Sequence, residues 1–305
     1  MTPALRFSGV RKRFGAIQAL RGLDLDVPAG SIFGLIGPNG AGKTTAFSLA
    51  CGFLRPDAGE MEILGGRFDP MRLKGRLGAL PQDAAFGRET RCLDHLVFFA
   101  LLQGMSRVQA HAEADRVLSE LGLGDRRREL TKTLSHGMLR RLSVAQALLG
   151  RPELVLLDEP TSGLDPRHAH ELRELLRGAR GGRTLVISSH NLVELESLCD
   201  HVAFIDHGVV VAGGPTDVVT GKGQEIEIVL APGPAPVDAV AVVLIGDTVT
   251  WDEPSRVLRV RFAPQPDRQA EDVIGVALRA LLDGGARISG VRRGTTLEKK
   301  FLELG

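Results

Sequence analysis

Tyrosine is absent from all 305 residues, tryptophan occurs once and cysteine three times. Cys51, Cys92 and Cys199 are widely spaced among apolar or small neighbours. That pattern excludes a disulfide framework or a metal knuckle and reads as small buried hydrophobes in a reducing compartment. Charge of one sign is missing too: 38 Lys and Arg against 37 Asp and Glu leave a net charge of +1. No broad basic field exists to attract nucleic acid or anionic lipid, so any anion site must be local. No run reaches the roughly 18 to 20 apolar residues of a membrane span. The opening Met1-Thr-Pro-Ala-Leu-Arg-Phe lacks the apolar core of a secretory signal. A role at a membrane would be exercised from the cytoplasmic side.

What is present is ordinary for a globular chain, with 43% hydrophobic and 25% charged residues. The length predicts one main domain plus a smaller one. Alternation over 4–10 and 20–27 predicts antiparallel strands, whereas the nearly continuous apolar run 31–36 suits a buried parallel strand. Phe47, Leu49, Ala50, Phe53 and Leu54 predict a helix from Thr44 closed by Pro56. Between about 88 and 150 apolar residues repeat at three and four, a helical insertion. Apolar strands return at 154–157 and 184–188 around a helix at 166–177, so the sheet is expected to be mainly parallel, of α/β class. The composition shifts near Ala231-Pro-Gly-Pro-Ala-Pro. Strand 225–230, helix 237–244, strands 248–251 and 256–262, helix 268–282 and strand 287–291 follow. This β-α-β-β-α-β order is the split βαβ arrangement of ferredoxin-like modules. The expected division is 1–220 and a small α+β domain at 221–305.

The residues Gly37, Pro38, Asn39, Gly40, Ala41, Gly42, Lys43 and Thr44 match G-x-x-x-x-G-K-[ST] between an apolar strand and a helix, the context the motif requires. Glycines 37, 40 and 42 permit backbone geometries that let amide N–H groups and the helix N-terminus converge on phosphate oxygens. Lys43 adds a charge for the β and γ phosphates, Thr44 a hydroxyl for Mg²⁺, and Thr45 reaches a further phosphate oxygen. A nucleoside triphosphate, ATP with Mg²⁺, is the expected ligand. Leu154-Val-Leu-Leu-Asp-Glu-Pro ends a buried strand on two carboxylates, where open α/β sheets bind ligands. Asp158 is expected in the Mg²⁺ shell, and Glu159 as the general base on the attacking water.

With these motifs in place, the chain resembles the ATP-binding cassette (ABC) ATPases over about 5–214. Further markers occur in the family's order: Gln82 in Leu80-Pro-Gln-Asp, Leu134-Ser-His-Gly-Met, Ser162-Gly-Leu-Asp165, and His190 in Ser188-Ser-His. The resemblance implies that Gln82 couples the Mg²⁺ and water site to the helical insertion, and that His190 contacts the γ phosphate and steadies the water. Phe14 before Gly15 would stack on adenine. Ser135 and Gly137 would open a helix that caps the γ phosphate of a second subunit. Asp165 would face the partner's nucleotide, cap its own helix, or do both. The signature departs from the common Leu-Ser-Gly-Gly-Gln at His136 and Met138. His136 adds a phosphate or ribose contact or fills space, and Met138 removes a polar contact.

The resemblance further implies a dimer, of this chain or with a second ABC ATPase, that closes on ATP. It also implies separate multi-span permease subunits and a place on the cytoplasmic face of the membrane. Phe86, Leu96, Phe98 and Phe99 form either the groove for a permease helix or ordinary core, since Phe98 and Phe99 cannot both point inward on one helix. The closing Thr296-Leu-Glu-Lys-Lys-Phe-Leu-Glu-Leu-Gly resembles the end of bacterial exporter cassettes, whose small last domain would stabilise the dimer, regulate it, or merely extend the fold. Nucleic-acid-acting cassettes usually carry a long coiled coil or tandem cassettes; neither is present, and no nucleic-acid partner is expected. A nucleotide-binding regulator that hydrolyses little is the other competitor.

Overall fold

Alternating apolar residues at the N-terminus build one face of a hairpin. β1 (Pro3–Phe14) pairs antiparallel with β2 (Ile17–Pro28), and Leu5, Phe7, Val10, Leu20, Leu23 and Leu25 enter the core. β1 runs past the predicted end at Val10 through register shifts, so the hairpin projects as far as Phe14. The computed structural model describes residues 2–81, 87, 89–179, 182–222, 224–263 and 270–304.

β3 (Ile32–Ile36) is buried at every position and leads through the glycine loop into α1 (Lys43–Ala50). β4 (Ala58–Ile63) and β5 (Gly66–Arg67) extend the hairpin into an antiparallel sheet of order β2-β1-β4-β5. The short α2 (Pro70–Leu73), capped by Asp69, precedes β6 (Leu77–Leu80).

The helical insertion contains α3 (Cys92–Leu102), α4 (Arg107–Glu120) and α5 (His136–Ala147). Ser106 and Gln109 form a reciprocal capping box at the start of α4. On α3, Leu96 is fully buried, Phe98 is exposed and Phe99 lies against His95 with ring centroids 4.9 Å apart. The two phenylalanines therefore divide between faces. Phe86 lies outside the described residues.

β7 (Leu154–Asp158), α6 (Pro166–Ala179), β8 (Thr184–Ser188), α7 (Leu192–Leu198), β9 (His201–Asp206) and β10 (Val209–Pro215) complete the main sheet, ordered β10-β9-β3-β8-β7-β6. β3 runs parallel to β8 and β9, and β7 parallel to β6 and β8. Parallel pairing gathers the C-terminal ends of β3, β7 and β8 at one edge, where Asp158 stands opposite Ser188.

Contacts divide the chain into Met1–Gly213 and Gly214–Gly305. α8 (Thr216–Val219) falls in the second unit, since the Thr220 carbonyl following it accepts from the Thr295 amide at 2.6 Å. That unit continues with β11 (Glu225–Leu230), α9 (Val237–Val243), β12 (Thr248–Asp252), β13 (Val257–Arg261), α10 (Ala270–Asp283), β14 (Ile288–Arg293) and α11 (Leu297–Leu304). Its antiparallel sheet is ordered β12-β13-β11-β14, with Ile226, Ile228, Leu258, Val260, Val273 and Leu281 packed together on one face. The three cysteines are free; Cys92 and Cys199 are buried, and burial pushes the half-buried Cys51 thiol up to about 12.

Candidate active site

The glycine loop is shaped by contacts a side chain would block. A Cβ on Gly37 would lie 2.3 Å from the Ile205 carbonyl oxygen, so the loop leaves β3 directly against β9. Gly42 has φ +111, and a Cβ there would meet the Ala19 carbonyl at 2.8 Å. It caps α1 without a side chain, which leaves the first-turn N–H groups available to an anion. Lys43 is buried, and its Nζ donates to the carbonyls of Gly37 at 2.6 Å and Pro38 at 3.1 Å. Of the three ammonium hydrogens one is left for a phosphate oxygen. Burial pulls the Lys43 ammonium below the ordinary lysine range, and the charges of Glu159 and Asp158 oppose that.

A cleft of about 470 Å³ opens over the loop, lined by Phe14, Ile17, Ala19, Asn39, Gly40, Gly42, Lys43, Thr44, Thr45, Asp158 and Glu159. Gly37, Pro38 and Ala41 belong to the same loop but do not line the cleft. Phe14 is 46% exposed at the hairpin end, with Lys12 Nζ 5.8 Å from its ring centroid. The Thr44 hydroxyl and the Asp158 carboxylate share the cleft, and two hard oxygen donors fit the sparse protein share of a Mg²⁺ shell completed by phosphates and water.

Asp158 is 2% exposed, and Ser188 Oγ donates to its Oδ1. The Glu159 amide donates to Ser188 Oγ at 3.0 Å and to the Ser188 carbonyl at 3.2 Å. The Glu159 carboxylate, 8% exposed as a residue, reaches His190 Nδ1 at 2.9 Å through Oε2. Base and histidine are thus paired at the cleft edge. Gln82 lies outside the described residues. Two contributors escaped the sequence reading. Ser188 stood inside a quoted motif without a role. Arg140, whose guanidinium donates to the carbonyls of Asp158, Glu159 and Pro160, carries no local signal, because only the crossing of α5 over β7 brings it there.

Ser135, Gly137 and Asp165 do not line this cleft. Ser135 caps α5, its Oγ accepting from the Met138 amide at 3.3 Å. Asp165 Oδ1 accepts from the amides of Arg167 and His168, each at 3.1 Å, and Oδ2 pairs with His168 Nδ1. The His168 contact holds the Asp165 carboxyl below the usual carboxylate range. A Cβ on Gly163 would lie 2.9 Å from His136 Nε2, and one on Gly137 would lie 3.4 Å from the His168 ring. His136, itself exposed, therefore lies beside Gly163, between the start of α5 and the turn before Asp165 in its own chain.

A family model described as ABC transporter matches residues 20–162. The chain is 38% identical over 310 residues to the daunorubicin resistance ATP-binding protein DrrA3 of Streptomyces coeruleorubidus, covering 99% of this chain and 95% of that one. It is 32% identical over 307 residues to the Nod factor export ATP-binding protein I of Rhizobium sp. (strain N33), covering 99% and 96%. Among solved structures, cbiO1 of Clostridium perfringens, part of the ABC transporter complex cbiONQ, superposes with a TM-score of 0.66 at 25% identity, covering 72% of this chain and 91% of that one. Since relatives match it end to end at such identity and the family match spans both the glycine loop and the paired carboxylates, the chain belongs to the ABC transporter family as an ATP-binding subunit.

Proposed function

We propose that two copies of this chain close on two ATP molecules, and that closing and hydrolysis drive export of a small molecule through separate permease subunits on the cytoplasmic face of the membrane. The observation that carries this reading is the split of the motif residues. Phe14, Lys43, Thr44, Asp158 and Glu159 line one cleft, whereas Ser135, Gly137 and Asp165 lie outside it. A helix N-terminus capped by exposed Ser135 completes such a site from a second subunit. Relatives named for daunorubicin resistance, linearmycin resistance and Nod factor export support the outward direction. Exposed Phe98 and Leu102 on α3 offer the permease an apolar surface.

In this reading the loop amides, the α1 N-terminus and Lys43 bind the β and γ phosphates, and Phe14 stacks on adenine. Thr44 and Asp158 would hold Mg²⁺, with Gln82 as the further ligand that the family resemblance implies, and the ion would supply charge neutralisation on the phosphates. Glu159 takes a proton from the attacking water, and His190 orients that water. The new bond forms from water oxygen to the γ phosphorus, the bond to the β–γ bridging oxygen breaks, and ADP and inorganic phosphate leave. Asp165 and Ser135 act on the partner's nucleotide.

Phosphate release by Glu159→Gln tests the reading. A loss of roughly 10²- to 10⁴-fold in kcat is expected, together with ATP-dependent dimers on size-exclusion chromatography. The departures at His136 and Met138 favour a second reading, a nucleotide-binding regulator. Equal, near-zero rates for both proteins would establish that reading instead.

A further inference from the structure

The backbone of Glu159 combines two unfavourable features. It is a non-glycine residue at φ +51, and it precedes Pro160, where steric contact with the proline ring steers a residue towards extended geometry. Something must hold it there. On the amide side Ser188 accepts through both its carbonyl and its hydroxyl. On the carbonyl side stands Arg140. Its Nε donates to the Pro160 carbonyl at 2.9 Å, and its Nη2 donates to the Asp158 carbonyl at 3.1 Å and to that of Glu159. Three successive carbonyls converge on one planar guanidinium, a fork whose five N–H groups are fixed relative to each other. Its grip therefore sets the orientation of these peptide groups as well as their distance.

Arg140 also connects two places that the sequence leaves apart. It lies on α5, about 7.5 Å along the helix axis from the Ser135 cap, and the cap itself is exposed. A helix of this length is stiff, so a displacement of its N-terminus reaches Arg140 and, through three hydrogen bonds, the peptide carrying Glu159.

We infer that Arg140 is a positioning residue, which holds the Glu159 carboxylate in line with the cleft of its own subunit and makes that alignment depend on the seating of α5. This rests on Glu159 as general base. Nucleotide binding, by contrast, depends on the glycine loop and Lys43, which these three hydrogen bonds do not reach. An apolar residue in its place frees the Glu159 peptide to relax away from the left-handed geometry. Lysine supplies a charge without the fork and restores the grip only in part.

The experiment is a double-mutant cycle on the full chain, with wild type, Arg140→Met, Arg140→Lys, Glu159→Gln and Arg140→Met/Glu159→Gln. Phosphate release is followed for hours so that residual rates are measured, and binding of a fluorescent ATP analogue and thermal unfolding are recorded for each protein. Arg140→Met is expected to lower kcat by roughly 10- to 100-fold, the effect of a misplaced catalytic group. KM and analogue binding should stay within about threefold, and Arg140→Lys should fall between. On the Glu159→Gln background Arg140→Met should add at most about threefold further loss, because its main route to the chemistry, the alignment of the Glu159 carboxylate, is already removed. An unchanged kcat, a loss carried by KM or binding, or losses that multiply in the double mutant would each overturn the inference. Should Arg140→Met not fold, Arg140→Lys on both backgrounds carries the same readings. If Glu159→Gln alone keeps the wild-type rate, the base assignment fails instead, which separates the two outcomes.

Discussion

Gly37 illustrates what the site demands of single residues. It is not in a left-handed conformation, yet a Cβ would come within 2.3 Å of the Ile205 carbonyl and 2.9 Å of the Ile205 Cγ2. The requirement is close approach of β3 to β9, not turn geometry. Gly37→Ala should therefore push the loop off its strand, costing about 1–3 kcal/mol of stability through overpacking. Affinity for a fluorescent ATP analogue should fall by at least about tenfold, since the Gly37 carbonyl also holds Lys43. Nucleotide titration with thermal unfolding checks this, and unchanged affinity would refute it. At this scale the loop, both carboxylates and His190 were legible, because each belongs to a contiguous motif. The roles of Arg140 and Ser188 and the neighbour of His136, Gly163, were not. Their partners are distant in sequence, and a hydrogen bond across a fold leaves no periodicity to read.

Among the elements, β11 shows how alternation can be right and still incomplete. The pattern Glu-Ile-Glu-Ile predicts a strand with one apolar face, and Ile226, Ile228 and Leu230 form it. On the opposite face Val229 is exposed, but Glu225 and Glu227 are covered, 5% and 4% exposed. Arg261 binds Glu225, and Glu227 accepts from Arg259 Nε at 2.9 Å and from Lys299 of α11 at 2.7 Å. Burial pushes the Glu227 carboxyl up, but the bonds from Lys299 and Arg259 outweigh it, so the carboxyl sits below its ordinary value. A depressed folded-state value contributes stability that is complete above the unfolded glutamate value near 4.3. It is lost as pH falls through the folded value. Glu227→Gln should accordingly destabilise the second unit by about 1–3 kcal/mol at neutral pH, with the difference shrinking in acid below pH of about 4. Trp251 on β12 is the chain's single tryptophan, so its fluorescence during guanidinium unfolding reports on this unit. A pH-independent difference would contradict the linkage.

The whole molecule raises the question of what the two units serve. The near-neutral charge of +1 gives no reason to expect a nucleic-acid partner, and among the described residues no helix is long and apolar enough to cross a membrane. The proposed export role calls for a membrane protein as partner. Affinity purification from detergent-solubilised membranes should recover a multi-span protein with this chain, in roughly equal amounts of the two kinds of subunit. Recovery of a homodimer alone would count against the transport reading. Substituting Phe98 and Leu102 by polar residues should weaken the association while leaving ATP binding intact.

By itself the sequence determined the class of fold, the triphosphate loop and the paired carboxylates, because hydrophobic period, glycine placement and motif spacing are local properties of the chain. It also determined the strand and helix order from β11 to β14, though not the flanking helices α8 and α11, and the antiparallel sheet then settles as β12-β13-β11-β14. The tertiary structure alone decided which motifs meet in one cleft and which stay outside it. It also decided that Glu225 and Glu227 are covered, and that Arg140 of the helical insertion grips the peptide of Glu159. Those outcomes depend on how separate elements cross, and crossing is set by the packing of whole faces, which no single stretch of sequence encodes.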